Sequence, residues 1–160
     1  MKAKFDVFVE RCDVGLGLFA ARSFRKGECV VVFEGPLVEG HEGRLLSDAI
    51  QIGPEVYIDP VPPGKYVNHS CNPNAGLVNN VYLHALRDIP EGAEIRFDYS
   101  TSMGESFWTL ECACNSPECR GLVADFVQLP PELRAKYLEM GIVQDFIKQG
   151  LSRIPRKLSA

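Results

Sequence analysis

No apolar run in the chain approaches the roughly 20 residues that a helix needs to cross a bilayer, so a helical membrane span is excluded. The N-terminal MKAKFDVFVERCD lacks the continuous apolar stretch of an export signal. An intracellular protein is therefore expected, cytoplasmic if bacterial and nuclear if eukaryotic. Internal repeats and low-complexity segments are also missing, which leaves a single folded domain as the expectation. With 46% apolar residues, 160 residues can bury a proper core without disulfides. Aromatics at 9%, together with 14 Gly and 11 Pro, argue against both a disordered tail and a helical bundle.

An excess of positive charge is lacking too. The formal net charge is −4, and it is unevenly spread. Residues 146–160 hold Lys148, Arg153, Arg156 and Lys157 and no acid, so the rest carries 13 basic against 21 acidic groups, or −8. Such a body matches nucleic-acid phosphates poorly and a cationic peptide well. The expected partner is a basic, lysine-containing protein or peptide, with no direct nucleic-acid binding and no membrane. A mild negative balance also serves solubility alone.

Six cysteines are present, and their spacing is uneven. Cys12 and Cys29 stand apart, Cys71 lies mid-chain, and Cys112, Cys114 and Cys119 crowd into eight residues. Three disulfides would suit a secreted protein, but cysteines one residue apart cannot readily bridge each other. Three thiols on a loop rich in turn residues (Asn115, Ser116, Pro117) suit a metal instead. Zn²⁺ needs a fourth ligand, for which Cys71 is the first choice and His69 the second. Cys12 and Cys29 are expected to be small buried hydrophobes.

The expected architecture is mainly β with short helices. Residues 5–9, 15–20, 29–33, 56–59, 76–86 and 94–99 read as strands or a hairpin, with Asn79-Asn80 near a turn. Residues 42–50 read as one short helix. Helices are also expected from Pro131 to Gly141 and over residues 142–149, before Gly150. Of the chemistry-bearing segments, Gly15-x-Gly17 is a weak signal, since a glycine pair near a strand is usually a turn. His69, in Asn68-His69-Ser70-Cys71, could be a base, a ligand or a satisfied buried imidazole. Tyr99 would ordinarily be a core aromatic with its hydroxyl at the rim.

Together the segments resemble one family. Gly15-Leu16-Gly17, Asn68-His69-Ser70-Cys71-x-Pro73-Asn74, Glu94-Ile95-Arg96-Phe97-Asp98-Tyr99 and Cys112-x-Cys114-x4-Cys119-Arg120-Gly121 follow the order of a SET-domain protein-lysine methyltransferase with a post-SET zinc loop. The likeness spans roughly residues 3–124, and no cysteine-rich segment precedes residue 12. It implies a SET (β-clip-like) fold of small sheets with a pseudoknot over residues 3–103. A zinc loop would follow over 104–124 and a helical extension over 125–160. It implies S-adenosylmethionine as cosubstrate and Zn²⁺ held by Cys71, Cys112, Cys114 and Cys119. Leu16, Gly17, Asn68, His69, Tyr99 and Leu122 would bind the cofactor, Leu122 standing where many relatives carry tryptophan. Tyr99 matches the active-site tyrosine. Phe33, Phe97, Phe107 and Trp108 would line the lysine channel, although Phe107 and Trp108 read equally well as core aromatics anchoring the zinc loop.

The chemistry that the resemblance implies is an in-line methyl transfer, for which alignment is the main requirement. The lysine must first lose a proton held with a solution pKa near 10.4, and an apolar channel beside a sulfonium lowers that value. Departures from the family pattern are Phe33-Glu34-Gly35-Pro36 in place of a YxGE segment, and Lys65-Tyr66-Val67 before the asparagine. Phenylalanine at both 33 and 97 leaves room for di- or trimethylation. A SET fold kept only as a zinc-stabilised binding module is the alternative.

Overall fold

The structure, a computed structural model, describes residues 5–106 and 108–153. Among these residues, twelve short strands form four small sheets, accompanied by three α-helices. Apolar β-branched runs interrupted by Gly and Pro account for this pattern: each strand closes before a long sheet can grow.

The sheet that matters most orders β1 (Val7–Cys12), β2 (Gly15–Ala20), β10 (Glu94–Phe97) and β7 (Asn68–His69). Strand β2 pairs antiparallel with both β1 and β10, whereas β7 runs parallel to β10. A second sheet orders β3 (Cys29–Val32), β9 (Tyr82–Ala85) and β8 (Ala75–Val78). Asn79 and Asn80 turn the β8–β9 hairpin with φ of 49° and 69°, a region that asparagine tolerates. The third sheet orders β4 (Leu37–Glu39), β6 (Val56–Ile58) and β5 (Ile50–Gly53), and β11 (Thr109–Glu111) pairs with β12 (Leu122–Ala124).

One core joins the first two sheets through Leu18, Val31, Leu77, Leu83, Ile95 and Phe97, all buried. A second packs α2 (Pro131–Glu139) and α3 (Asp145–Ser152) through Phe126, Tyr137, Ile142 and Ile147, with Val78 and Leu86 of the body against it. Fully burying each such side chain contributes about 1.5–3 kcal/mol. Pro131 opens α2 at a position where a missing N–H does no harm.

Three expectations are corrected. The helix expected over residues 42–50 is only α1 (Gly40–Arg44), because Ile50 is taken into β5 opposite Ile58. The last helix begins at Asp145 and contains Gly150. Its start is set by tertiary bonds: buried Gln144 donates to the Gln51 and Asn80 carbonyls, and the Asp145 amide donates to Asn80 Oδ1. Cys29 is exposed rather than buried, since β3 turns Val30 and Val31 inward. Strands β4, β5, β11 and β12 are too short, at three or four residues each, to stand out by periodicity.

Candidate active site and metal centre

The parallel pairing of β7 with β10 sets Asn68 opposite Arg96 and His69 opposite Phe97. Alternation along β10 then sends Ile95 and Phe97 into the core and leaves Glu94 and Arg96 half-buried on the other face. Asn68 Nδ2 lies 3.0 Å from the Leu16 carbonyl and 2.9 Å from Glu94 Oε1. Gly17 makes this approach possible. A Cβ there would lie 2.6 Å from Glu94 Oε1 and 3.2 Å from Asn68 Nδ2.

His69 is locked between chain segments. Its Nδ1 accepts the Tyr99 amide at 3.2 Å, so in the neutral ring Nε2 carries the proton and donates to Cys71 Sγ, 3.3 Å away. Burial pushes its pKa down to about 4; Asp98 opposes this, and Arg120 and Arg96 reinforce it. The Tyr99 hydroxyl donates to the Val67 carbonyl at 2.8 Å. Burial raises the phenol far above its ordinary value, so it stays protonated.

Between these two motifs lies a residue that the sequence reading did not single out. Asp98 is fully buried and accepts two hydrogen bonds from the Arg120 guanidinium, at 2.7 and 2.8 Å. It also accepts the Tyr137 hydroxyl at 2.9 Å and the Ser100 amide at 3.1 Å. One carboxylate thus ties the end of β10 to the cysteine loop and to α2. Its signal in the sequence was an acid following an alternating strand; its partners are 22 and 39 residues away.

Two cavities have Tyr99 in their walls. The larger, about 270 Å³, is lined by Phe33, Phe97, Val67, Tyr99, Trp108 and Met103 at its apolar parts, and by Asp48, Lys65 and Glu105 elsewhere. Tyr57 donates its hydroxyl to Glu105, and Asp48 pairs with Lys65 at 3.4 Å. The smaller, about 180 Å³, is lined by Val14, Asn68, His69, Arg96, Tyr99 and the 110–114 segment. Tyr99 and Leu110 belong to both walls.

The four cysteines expected to bind metal converge. The Sγ atoms of Cys71, Cys112, Cys114 and Cys119 all lie within 4.8 Å of one another. Cys71 and Cys112 are 3.7 Å apart, against the edge of about 3.8 Å in a tetrahedron with Zn–S bonds of about 2.3 Å. The amides of Arg120 and Gly121 donate to the Cys71 and Cys119 sulfurs at 3.4 and 3.5 Å, as expected around thiolates. The donor set fits zinc. His69 is placed as a hydrogen-bond partner of Cys71 rather than as a ligand.

The remaining expected residues are less uniformly gathered. Leu16 is exposed and meets the site through its carbonyl, and Gly17 through its lack of a side chain. Leu122, on β12, is 52% exposed and lines neither cavity. Phe107 lies outside the described residues. Cys12, half-buried, has its sulfur 3.4 Å from Asn68 Nδ2.

Residues 15–100 match the SET domain family, and the chain belongs to it. It is 34% identical over 130 residues to the mouse histone-lysine N-methyltransferase NSD3, a match covering 68% of this chain and 9% of that protein. It is 32% identical to the variant-silencing SET domain-containing protein of Plasmodium falciparum, over 66% of this chain and 5% of that one. The H3 lysine-4 specific histone-lysine N-methyltransferase of Schizosaccharomyces pombe is 28% identical, over 66% of this chain and 14% of its own length. The chain therefore spans a small part of the curated relatives it matches. The same fold occurs in KRYPTONITE, solved with mCHH DNA, an H3(1–15) peptide and SAH. That structure aligns at a TM-score of 0.62 and 21% identity, over 78% of this chain and 30% of that one.

Proposed function

We propose that the protein is an S-adenosylmethionine-dependent lysine N-methyltransferase acting on a basic protein segment, histone or histone-like. The observation that carries this reading is the pair of cavities meeting at Tyr99. One is walled by the Asn68-His69 segment and the cysteine loop, the other by phenylalanines and acids. The named activities of the relatives and the SAH and H3 peptide held by a protein of the same fold support it.

S-adenosylmethionine, bound in the smaller cavity, would supply an electrophilic methyl on a sulfonium. The chain's residues do the rest by placement. Asp48 and Glu105 attract the lysine ammonium at the larger cavity, and Phe33, Phe97, Val67 and Trp108 strip its water. Desolvation lowers the amine's affinity for its proton, which leaves through water, since the raised Tyr99 phenol is no base. The Tyr99 hydroxyl, its proton engaged by the Val67 carbonyl, offers its oxygen to orient the neutral amine. Cys71, Cys112, Cys114 and Cys119 would hold zinc in a closed site without an open coordination position, which makes the ion structural. Phe33 and Phe97, with ring centroids 5.7 Å apart and no hydroxyl to hold a water, leave room for di- or trimethylation.

The test is incubation of the purified protein with labelled S-adenosylmethionine and basic peptides or cell lysate, followed by mass spectrometry. Labelled lysines that vanish with Tyr99→Phe are expected. SAH binding without any methyl transfer would favour a binding module over an enzyme.

A further inference from the structure

We propose that Gln51 is a positioning residue for the larger cavity: it holds the segment 102–106 that brings Glu105 to the lysine, and the C-terminal helices back it through Gln144. The inference rests on the lysine-methyltransferase reading above and deepens it. Ser102, Met103 and Glu105 line the larger cavity, whereas Gln51 lines neither cavity. Any effect it has on the substrate therefore passes through its neighbours. Met103 is buried, but Gly104 and Ser106 are exposed, so packing alone does not settle where Glu105 goes. Hydrogen bonds to the segment do.

Gln51 on β5 stands opposite Tyr57 on β6, and side chains opposite each other in an antiparallel pair share a face. Both are buried, and they grip consecutive residues. Gln51 Oε1 accepts the Gly104 amide at 2.9 Å, and the Tyr57 hydroxyl donates to Glu105. The Gln51 side chain is aimed by its own strand, since its Nε2 donates to the Gly53 carbonyl at 3.2 Å where the β5–β6 register shifts. Its backbone is held by Gln144, 1% exposed, which donates through Nε2 to the Gln51 carbonyl at 3.0 Å. The Gln144 amide donates to the Thr101 carbonyl at 3.1 Å, just ahead of the segment. A Cβ on Gly104 would lie 3.0 Å from the Phe146 ring, so α3 abuts the segment directly. Gln144 and Phe146 lie beyond the residues 15–100 that match the family, so the extension serves substrate binding as well as packing. Two further anchors, the Phe126 amide on the Met103 carbonyl at 3.1 Å and the Ser106 amide on Asp125, do not involve Gln51, so its replacement loosens the segment locally.

The experiment measures two affinities of the zinc-loaded protein: for SAH by calorimetry and, with SAH present, for a fluorescent peptide bearing one lysine among arginines by anisotropy. Gln51→Met keeps the approximate size of the side chain and removes the acceptor. It is expected to weaken the peptide about fivefold or more while leaving SAH within about twofold. Gln51→Glu, which keeps an acceptor for the Gly104 amide, is expected to recover most of that loss. Gln144→Met is expected to weaken the peptide in the same selective way, and it answers the question if Gln51→Met does not fold. Peptide affinity unchanged in the methionine variants, or SAH and peptide weakened equally, overturns the assignment, because a merely structural glutamine would not discriminate between the two ligands. A wild type that binds the peptide but methylates no lysine overturns the methyltransferase reading instead, and the positioning role is still read from the same affinities.

Discussion

Replacing Asp98 with alanine deletes the junction of three segments that are far apart in the chain. Its carboxylate is fully buried, Arg120 is 16% exposed, and the two share a forked pair at 2.7 and 2.8 Å. Removing one member of such a pair leaves the other charge buried without compensation, at about 3–5 kcal/mol. The Tyr137 hydroxyl and the Ser100 amide lose their acceptor in the same step. These losses overlap within one network and do not add in full. For a domain of this size each kcal/mol moves Tm by about 2–4 °C, so the fall should be roughly 6–20 °C. Thermal and urea unfolding of the zinc-loaded protein would measure it. The double variant Asp98→Ala/Arg120→Met should recover part of the loss, because no orphan charge remains. An Asp98→Ala protein within about 1 kcal/mol of wild type, or a double variant that is simply the sum of its parts, would refute the reasoning.

Other expectations follow from the same geometry. Cys71→Ser and Cys112→Ser should lower zinc content by elemental analysis and destabilise the fold, as should chelation, whereas exposed Cys29→Ser should change neither. Tyr99→Phe should cut turnover by about 100-fold or more with SAH affinity retained, judged by kinetics and calorimetry. Phe97→Tyr should shift the products toward monomethyl-lysine in mass spectra; a wild type that makes only monomethyl-lysine, with no change in the variant, counts against the open channel. Gly17→Ala should weaken SAH binding, since its methyl would lie 2.6 Å from Glu94 and displace the Asn68–Glu94 contact.

Much of the site was legible because its residues carry distinctive chemistry at short spacing. Three thiols in eight residues signal metal wherever the loop lies, and Cys71 followed from the polar turn around it. The Asn68-His69 and Phe97-Asp98-Tyr99 segments stood out for the same reason. What escaped was long-range pairing. Asp98 looked like an ordinary polar position in an alternating strand, since neither Arg120 nor Tyr137 announces which acid it will meet. Leu122 was placed at the site by analogy of position, and in the fold it is an exposed residue of β12 outside the walls of the two cavities. The last helix started late because Asn80, on a distant turn, accepts the bonds that begin it.

By itself, then, the order of residues determined the family, the spacing of the candidate ligand residues and the period-2 strands, because these depend on local chemistry and local steric preference. Only the tertiary structure decided that β7 lies parallel to β10, that two cavities meet at one tyrosine, and that a buried carboxylate joins body, cysteine loop and helix. Burial turns weak, nonspecific polar groups into obligatory partners, and which groups are buried together is a property of the packed chain rather than of any stretch of it.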